Sequence, residues 1–245
     1  MNRDFFELYD KIIAAVQSDA PIAGVLHGDR WALVQTSDHT GIAMETPVDS
    51  IAPLCPAGLE GVSLRQAAPA IKSWNLSEAS LALAAVNAAC NTVDNIARLN
   101  AAMPPEAHYL DGIDFRGKTV GIIGHMHGTD EMHAQAKKVY IIERVPQQGD
   151  YPDAACDFIL PQCDVAIITG SSIINKTLPH LLSLCPDAYT VLTGPSVPLC
   201  PALLDCGIDR ISGLAVTAHD AIFDFVQSGR RGSPYGCGVS FMLCR

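Results

Sequence analysis

The sequence KTVGIIGHMHGTDEMH, from Lys118 to His133, decides the fold class. Its apolar run, Thr119 to Ile123, ends in a loop with two glycines, and a helical pattern follows from about residue 130. The later apolar runs VYIIE, DVAIIT, YTVLTG and DRISGLAV are each followed by a stretch that predicts a helix. Strands that alternate with helices favour βαβ units and a parallel sheet. Residues 104–245 therefore predict an α/β domain.

A different pattern precedes this alternation. Apolar residues recur at helical spacing from Arg3 to about Ser18, and the β-like runs IAGVLHG, WALVQTS and TGIAME follow. Ser77 is a candidate N-cap for an Ala- and Leu-rich run that predicts one long helix to about Ala102. Antiparallel strands with helices set apart from them predict a small α+β domain over residues 1–103.

Composition and charge exclude several classes of partner. The formal net charge of the 245-residue chain is −10 and no Lys/Arg cluster is present, so binding to nucleic acid or to an anionic membrane is not expected. The start, MNRDFFELYDK, does not resemble a signal peptide, and no apolar stretch approaches the ~20 residues that span a bilayer. Nine cysteines without a CxxC pair favour buried free thiols. A cytoplasmic protein is expected.

The predicted carboxyl ends of the parallel strands contain glycine together with Ser or Thr. These loops are GHMHGT, TGSSIINK, TGPSVP and SGLAV. Ligands of open parallel sheets bind beyond the carboxyl ends of the strands, and small residues let a ligand approach the backbone. Ordinary turns also use Gly, Ser and Pro. Because the composition recurs on four strands, the sequence favours a ligand-binding rim.

The histidines of the first loop allow a metal site. His125 and His127 lie in the loop, and His133 lies one turn inside the predicted helix. Three imidazoles could converge on a transition metal, with Asp130 or Glu131 as a further ligand. The alternative is that the three are separate loop and surface histidines.

A nucleotide-like ligand is a second possibility at the same loop. Glu143 ends the second predicted strand, 19 positions after Gly124, where an acidic residue suits a ribose hydroxyl. The glycines of the loop do not match GxGxxG. The alternative for Glu143 is a solvated strand end beside Arg144.

Asparagines recur along the predicted long helix. Asn87, Asn91 and Asn95 are four residues apart, on one stripe of an Ala-rich helix. A solvated face normally carries Lys and Glu, which suit helices better. The stripe therefore either packs against the other domain or faces a ligand.

Three segments carry a resemblance to a known family. SWNLSEASLALAAVNAACN, AIITGSSIINKTLPHLL and VLTGPSVPLCPALLDCGIDRISG resemble, in this order, the DUF364 family, whose members also carry the DUF4213 domain. The family is labelled a heavy-metal chelation family. The resemblance implies an enolase-N-terminal-like domain followed by a Rossmann-like domain, with a site in the cleft between them. The cleft residues that it implies are Asn75, Glu78, Asn87, Gly124, Thr169, Gly170, Ser171, Asn175, Gly194, Pro195, Ser196 and Gly213.

The resemblance and the loops lead to one main functional hypothesis. The chain is expected to bind a small molecule or a metal complex in an interdomain cleft and to act in metal handling, and both a monomer and a homo-oligomer are left open. The first alternative is an enzyme that acts on a small metabolite, with a nucleotide-like cofactor at the first loop. The second is a regulatory binding module without chemistry. No Ser-His-Asp order, paired-carboxylate motif or P-loop is recognisable, so no catalytic residue is assigned.

Overall fold

A computed structural model describes residues 5–99, 108–230 and 232–245. The amino-terminal part contains a three-stranded antiparallel sheet and four helices. The strands, adjacent in chain order, are β1 (Gly24–His27), β2 (Trp31–Gln35) and β3 (Thr40–Met44). The helices are α1 (Glu7–Ala15), α2 (Leu64–Ala67), α3 (Leu76–Cys90) and α4 (Val93–Arg98).

The carboxy-terminal part is built on a seven-stranded sheet. Its strands are β4 (Thr119–Ile123), β5 (Lys138–Glu143), β6 (Tyr151–Pro152), β7 (Val165–Thr169), β8 (Tyr189–Thr193), β9 (Arg210–Val216) and β10 (Gly238–Cys244). Its helices are α5 (Asp130–Gln135), α6 (Cys156–Ile159), α7 (Ser171–Ile174), α8 (Leu178–Leu184) and α9 (His219–Gln227). Across the sheet the order is β10-β9-β8-β7-β4-β5-β6, and only β10 is antiparallel to its neighbour.

The strand order reverses in the middle of this sheet. From β4 the chain continues to β5 and β6 on one side, and then returns to β7, β8 and β9 on the other. The crevice of an open α/β sheet lies outside the carboxyl ends of the strands at such a reversal. Here these ends are Ile123 on β4 and Thr169 on β7. The topology therefore places a potential binding crevice next to the opening glycine loop of the sequence.

The two sheets are separate, and the predicted α/β class is confirmed. The strands before residue 50 pair only with one another, as the sequence predicts. The predicted boundary between residues 103 and 104 lies outside the described residues. The predicted parallel strands all form, but β6 and β10 were not predicted. Strand β6 has only two residues, and β10 pairs antiparallel, outside the βαβ alternation on which the prediction rested.

The predicted long helix is two helices in the structure, and the prediction of Ser77 as its N-cap is wrong. Asn75 is the N-cap of α3, because its side-chain oxygen accepts a hydrogen bond from the Glu78 N–H at 3.0 Å. The helix ends at Cys90, and Thr92 caps α4 in the same way. The break lies at Asn91, whose side chain bonds to the other part of the protein. A second correction concerns the stretch after β8, which forms a 3₁₀ turn, Pro201–Cys206, in place of the predicted helix.

The asparagine stripe of α3 joins the two parts. The side-chain nitrogen of Asn91 donates to the carbonyls of Val197 and Leu214, at 2.9 and 3.1 Å, and its oxygen accepts from Leu199 N–H at 2.7 Å. Asn87 donates to the carbonyls of Ile42 and Pro195. Both side chains are buried. Of the two alternatives from the sequence, packing against the other domain is the one that this geometry favours.

All nine cysteines lie in the described residues and none is paired in a disulfide. Five of them are buried. Desolvation raises the pKa of the Cys90 thiol to about 12 and that of the Cys163 thiol to about 11. These thiols are therefore protonated near neutral pH, as expected of cysteines that serve as packing groups.

In the same described ranges, no helix has both the length and the apolar character needed to cross a membrane.

Candidate functional site

A cleft with a volume of about 610 Å³ lies at the reversal of the strand order. One wall comes from the carboxyl ends of β4, β5 and β7 and from the helices that follow them. The opposite wall comes from the antiparallel sheet, through Arg30, Met44 and Thr46. The volume is in the usual range for small-molecule sites. The two parts of the protein thus line one cleft.

Small and hydroxylated residues form the centre of the first wall. Gly124 has φ +95°, and a Cβ atom there would lie 3.3 Å from the Thr169 Cβ, so a side chain is both strained and crowded. The Thr169 and Ser171 hydroxyl oxygens are 3.1 Å apart, and the Asn175 side-chain oxygen accepts from the Thr177 hydroxyl at 2.6 Å. These polar groups hold one another in place.

His125 enters the cleft from the β4 loop and is held by a buried carboxylate. Its Nε2 lies 3.0 Å from an Asp150 oxygen, and the Asp150 side chain is only 6% exposed. Its Nδ1 lies 3.6 Å from a Glu143 oxygen, which is beyond hydrogen-bonding distance. If Nε2 donates to Asp150, Nδ1 carries the lone pair. Such an imidazole can accept a proton or bind a metal through Nδ1.

A second histidine–carboxylate pair lies in the same cleft. His180 Nε2 on α8 is 3.2 Å from an Asp157 oxygen on α6, and both residues line the cleft. Cys156 lines it as well, and burial raises the pKa of this thiol to about 11, so it is protonated near neutral pH. No sequence motif marks these residues, because they come from two helices that only the fold brings together.

Two arginines border the cleft, Arg30 from the antiparallel sheet and Arg144 from the end of β5. Both are exposed, and neither makes an ion pair with another residue in the described ranges. Arg30 lies 5.9 Å from the centre of the Trp31 ring, which gives it a cation–π contact. The sequence did not identify either arginine as a site residue, and Arg30 belongs to a hairpin turn that is distant along the chain from the loops of the parallel sheet.

Five of the predicted ligand-binding residues meet in this cleft. They are Gly124, Glu143, Thr169, Ser171 and Asn175. Glu143 does not have a free carboxylate, because one oxygen accepts from the His125 N–H at 3.2 Å and the other from the Arg144 N–H at 2.9 Å. Glu143 therefore fixes the β4 loop, and a ribose hydroxyl would have to compete with these backbone bonds.

Two further predicted residues lie on α3 and have local roles. Asn75 caps α3 and donates to the Ile51 carbonyl at 3.0 Å. The Glu78 carboxylate accepts from the N–H groups of Leu54 and Cys55, at 2.7 and 2.6 Å. Both residues are buried and pin the loop between β3 and α2 onto the start of α3. Neither lines the cleft.

The remaining predicted residues form the junction between the two parts, beside the cleft. The Ser196 hydroxyl accepts from the N–H of Met44, at 2.8 Å, and thus aligns β3 with the loop after β8. A Cβ at Gly170 would lie 2.6 Å from Val197, and one at Gly213 would lie 2.5 Å from the Val197 carbonyl oxygen. Close packing on Val197 explains Gly170 and Gly213, whereas Gly194 has φ +124°. Pro195 belongs to the same junction, because its carbonyl accepts from the Asn87 side chain.

The three histidines of the sequence hypothesis are not brought together. His125 is paired with Asp150, whereas His127 is exposed in the loop and His133 is exposed on α5. In the ranges that the structure describes, no group of three or more His, Cys, Asp or Glu side chains has an arrangement that could hold a metal ion. Among the three, only His125 lines the cleft.

The antiparallel sheet carries a further polar cluster close to the cleft. Glu45, between the cleft residues Met44 and Thr46, accepts from the Ser77 hydroxyl at 2.7 Å and lies 2.8 Å from His27 Nδ1. Serine and histidine thus both bind the carboxylate. A catalytic triad would instead need the serine hydroxyl on the imidazole nitrogen that faces away from the carboxylate. The cluster joins β1, β3 and α3.

The His27–Glu45 pair predicts a pH-dependent term in stability. The hydrogen bond to Glu45 raises the pKa of His27 above its usual value of 6.5. A raised folded-state pKa contributes stability that is complete below the unfolded value and is lost as the pH rises through the folded value. His27→Gln should therefore destabilise the protein at pH 5.5 by less than about 1 kcal/mol, since the pair is partly exposed, and hardly at all near pH 9.

Urea denaturation at the two pH values checks this expectation. In a Glu45→Gln background, which lacks the carboxylate, His27→Gln should have the same small effect on the free energy of unfolding at both pH values. An equal effect of His27→Gln at both pH values in the protein that keeps Glu45 would contradict the assignment.

The fold and the site define a two-sheet α/β protein with a ligand-sized cleft at the topological switch point of its parallel sheet. The chain belongs to the DUF364 family. The profile of that family, described as "Putative heavy-metal chelation", matches residues 111–242, and the DUF4213 profile, with the same description, matches residues 9–90.

Solved structures and a curated relative are consistent with this membership. A DUF364-family protein of unknown function from Desulfitobacterium hafniense has 30% identity, 98% coverage of both chains and a TM-score of 0.87. Another from Pyrococcus horikoshii has 22% identity, coverage of 98% of this chain and 99% of that one, and a TM-score of 0.78, which shows the fold alone. An uncharacterised protein of Methanocaldococcus jannaschii is 27% identical over 155 residues, or 60% of this chain. The match spans 58% of the length of that relative.

Proposed function

We propose that the protein binds a small organic molecule, or a metal ion already held by one, in the cleft between its two sheets and acts in metal handling. The observation that carries the proposal is the position of the cleft. It lies at the switch point of the parallel sheet, it has the volume of a small-molecule site, and the antiparallel sheet closes its other side. The family description supports a role with metals.

The polar groups of the cleft suit a metal complex. Hydroxyl and amide groups of Thr169, Ser171 and Asn175 can hydrogen-bond to an organic ligand, and the lone pair of His125 Nδ1 can complete the coordination of a metal that the ligand already holds. A chelated metal needs fewer protein ligands than a bare ion. His180, whose Nε2 lies beside Asp157, leaves Nδ1 as a further nitrogen donor at the same wall.

A second candidate function is catalysis on a small metabolite. The Asp150–His125 pair favours it, because a buried carboxylate that holds one imidazole nitrogen leaves the other free to accept a proton. In that case, His125 would be the general base, and Asp150 would fix its orientation. A nucleotide-like cofactor at Glu143 is less well supported, since the Glu143 carboxylate is occupied by the loop backbone.

Occupancy of the cleft can be tested by filling it. Ala154 lines the cleft but is exposed, so Ala154→Trp can place a ring in the cleft without disturbing the core. Wild-type protein is expected to retain a small molecule or metal complex through gel filtration, and Ala154→Trp is expected to lose at least about 90% of it, because the site depends on open volume. Native mass spectrometry and elemental analysis measure both the mass and the metal.

Ala134→Trp is the matched control, because Ala134 is also exposed and lies on α5 outside the cleft. This variant should retain the compound as wild type does. A wild-type protein that retains nothing from a cell extract, or an Ala154→Trp variant that retains as much as wild type, would contradict the proposed site.

A further inference from the structure

Lys176 is a buried cation without a carboxylate partner. Its residue is only 3% exposed, and its Nζ donates to the Ile174 carbonyl at 2.6 Å. The ring of Tyr9 lies 5.6 Å from the ammonium, and the Tyr9 hydroxyl is bonded to the Ile173 carbonyl. No ion pair to Lys176 is formed by any of the residues described. A buried charge of this kind is costly unless a counter-charge compensates it.

The backbone at Lys176 is also unusual. With φ +67°, it is the one non-glycine residue in the described ranges that has a positive φ. That conformation is unfavourable for a residue with a Cβ atom, and strained residues of this kind concentrate at functional sites. Its neighbours Asn175 and Thr177 both line the cleft. Lys176 thus lies between two cleft-lining residues in the chain, and its ammonium is buried against the Ile174 carbonyl and the Tyr9 ring.

The charges at the surface of the cleft are unequally satisfied. The carboxylates all have donors: Glu143 takes two backbone N–H groups, Asp153 takes the N–H of Ala154 at 2.9 Å, and Asp157 lies beside His180. Arg30 and Arg144 have no ion-pair partner among the described residues. Among the charged side chains that line the cleft in the described residues, the two arginines are therefore the ones with neither a hydrogen bond nor an ion pair.

We propose that the ligand of the cleft is an anion, with carboxylate or phosphate groups, and that Lys176 is a buried counter-charge that favours it. This inference rests on the proposed binding function. An anion bound at Asn175 and Thr177 would be a counter-charge to the ammonium of the residue between them, and the burial of that ammonium leaves the interaction little screened by salt. The arginines would contact the same ligand from the front. Burial lowers the pKa of the Lys176 ammonium to about 8, which fits a cation that lacks compensation.

Citrate and its uncharged triethyl ester are suitable probes, since they share a carbon skeleton and differ in charge. Calorimetric titration should show citrate binding to wild type and no comparable binding of the ester. Lys176→Met should weaken citrate binding by about tenfold or more, and Lys176→Arg should stay within about threefold of wild type because it keeps the charge. Lys137→Met, at an exposed lysine outside the cleft, should have no effect.

Two further readouts separate charge from shape. Lys176→Gly accepts the positive φ without strain but lacks the ammonium, so it should bind citrate as weakly as Lys176→Met. The melting temperature of Lys176→Met should equal or exceed that of wild type, because an uncompensated buried charge is removed. A parallel titration with nickel–citrate, and with nickel chloride alone, shows whether the anion binds free or as a metal complex.

The outcomes distinguish this inference from the proposed function. Equal binding of citrate and its ester, no binding of citrate by wild type at millimolar concentration, or a Lys176→Gly variant with wild-type affinity would each overturn the anion inference. In those cases, a compound that wild type retains and Ala154→Trp loses would still support the cleft as a binding site.

Discussion

Asn91→Leu is expected to lower the free energy of unfolding by about 4 kcal/mol, because it leaves three buried backbone groups without partners at about 1–3 kcal/mol each. These groups are the carbonyls of Val197 and Leu214 and the N–H of Leu199. Leucine is close in size to asparagine. The substitution therefore removes the hydrogen bonds of the side chain and largely keeps its packing contacts. Asn91 is only 4% exposed, and water cannot readily replace its amide group.

Asn95→Leu is the matched control, because Asn95 is the third asparagine of the predicted stripe but lies on α4. Its side-chain nitrogen donates only to the nearby Cys90 carbonyl, and the residue is partly exposed. It should cost less than about 1 kcal/mol. Urea denaturation measures both variants, and near-ultraviolet circular dichroism shows whether the two parts remain packed. Equal losses for Asn91→Leu and Asn95→Leu would contradict the role assigned to Asn91.

The asparagines of the predicted long helix show which structural features the sequence could predict and which it could not. Asparagines at intervals of four on an Ala-rich helix predicted a polar face that is not solvated, and α3 is indeed buried along nearly its whole length. The sequence left open whether that face meets a ligand or the other domain. Each role requires an amide with both donor and acceptor, so the residue type cannot distinguish them. Only the position of the loop after β8 against Asn87 and Asn91 does so.

The same ambiguity affects the glycine and serine loops. A ligand that approaches the backbone and a second chain segment that packs on it both exclude side chains, so TGSS and TGPS look alike in the sequence. In the structure, Thr169 and Ser171 of the first loop line the cleft, whereas Gly194 and Ser196 of the second pack at the junction. The switch point explains the difference, because the first loop follows β7, next to β4, and the second follows β8, one strand further away.

The cations of the site could not be predicted from local pattern. Arg30 reaches the cleft because the antiparallel sheet packs across the carboxyl ends of the parallel strands, and this contact depends on long-range packing. Lys176 ends the TGSSIINK loop, but its burial and its positive φ are properties of the folded chain alone. Periodicity therefore predicted the strands well, while the electrostatic character of the site required the structure.

Gly41→Ala is expected to lower the free energy of unfolding by at least about 4 kcal/mol, at the exceptional end for a single substitution. Strand β3 packs on α3 so closely at Gly41 that an added Cβ would lie 2.0 Å from the Ala84 carbonyl oxygen and 2.3 Å from the Ala88 N. Both atoms belong to the backbone of α3, which cannot rotate away as a flexible side chain could. Relief requires the helix to shift, and the same helix carries Asn87 and Asn91 into the junction.

Gly24→Ala provides the comparison, because Gly24 lies in β1 of the same sheet and an added Cβ there meets no atom within 4 Å. Neither glycine has a positive φ, so alanine gains the same small benefit from a less flexible unfolded chain at both positions. The difference between the two variants in urea denaturation therefore isolates the contact with α3. If Gly41→Ala does not fold, its yield of soluble protein beside that of Gly24→Ala gives the same comparison. A difference below about 1 kcal/mol would contradict this prediction. It would show that β3 and α3 can move apart at little cost despite the close contacts of Gly41 with Ala84 and Ala88.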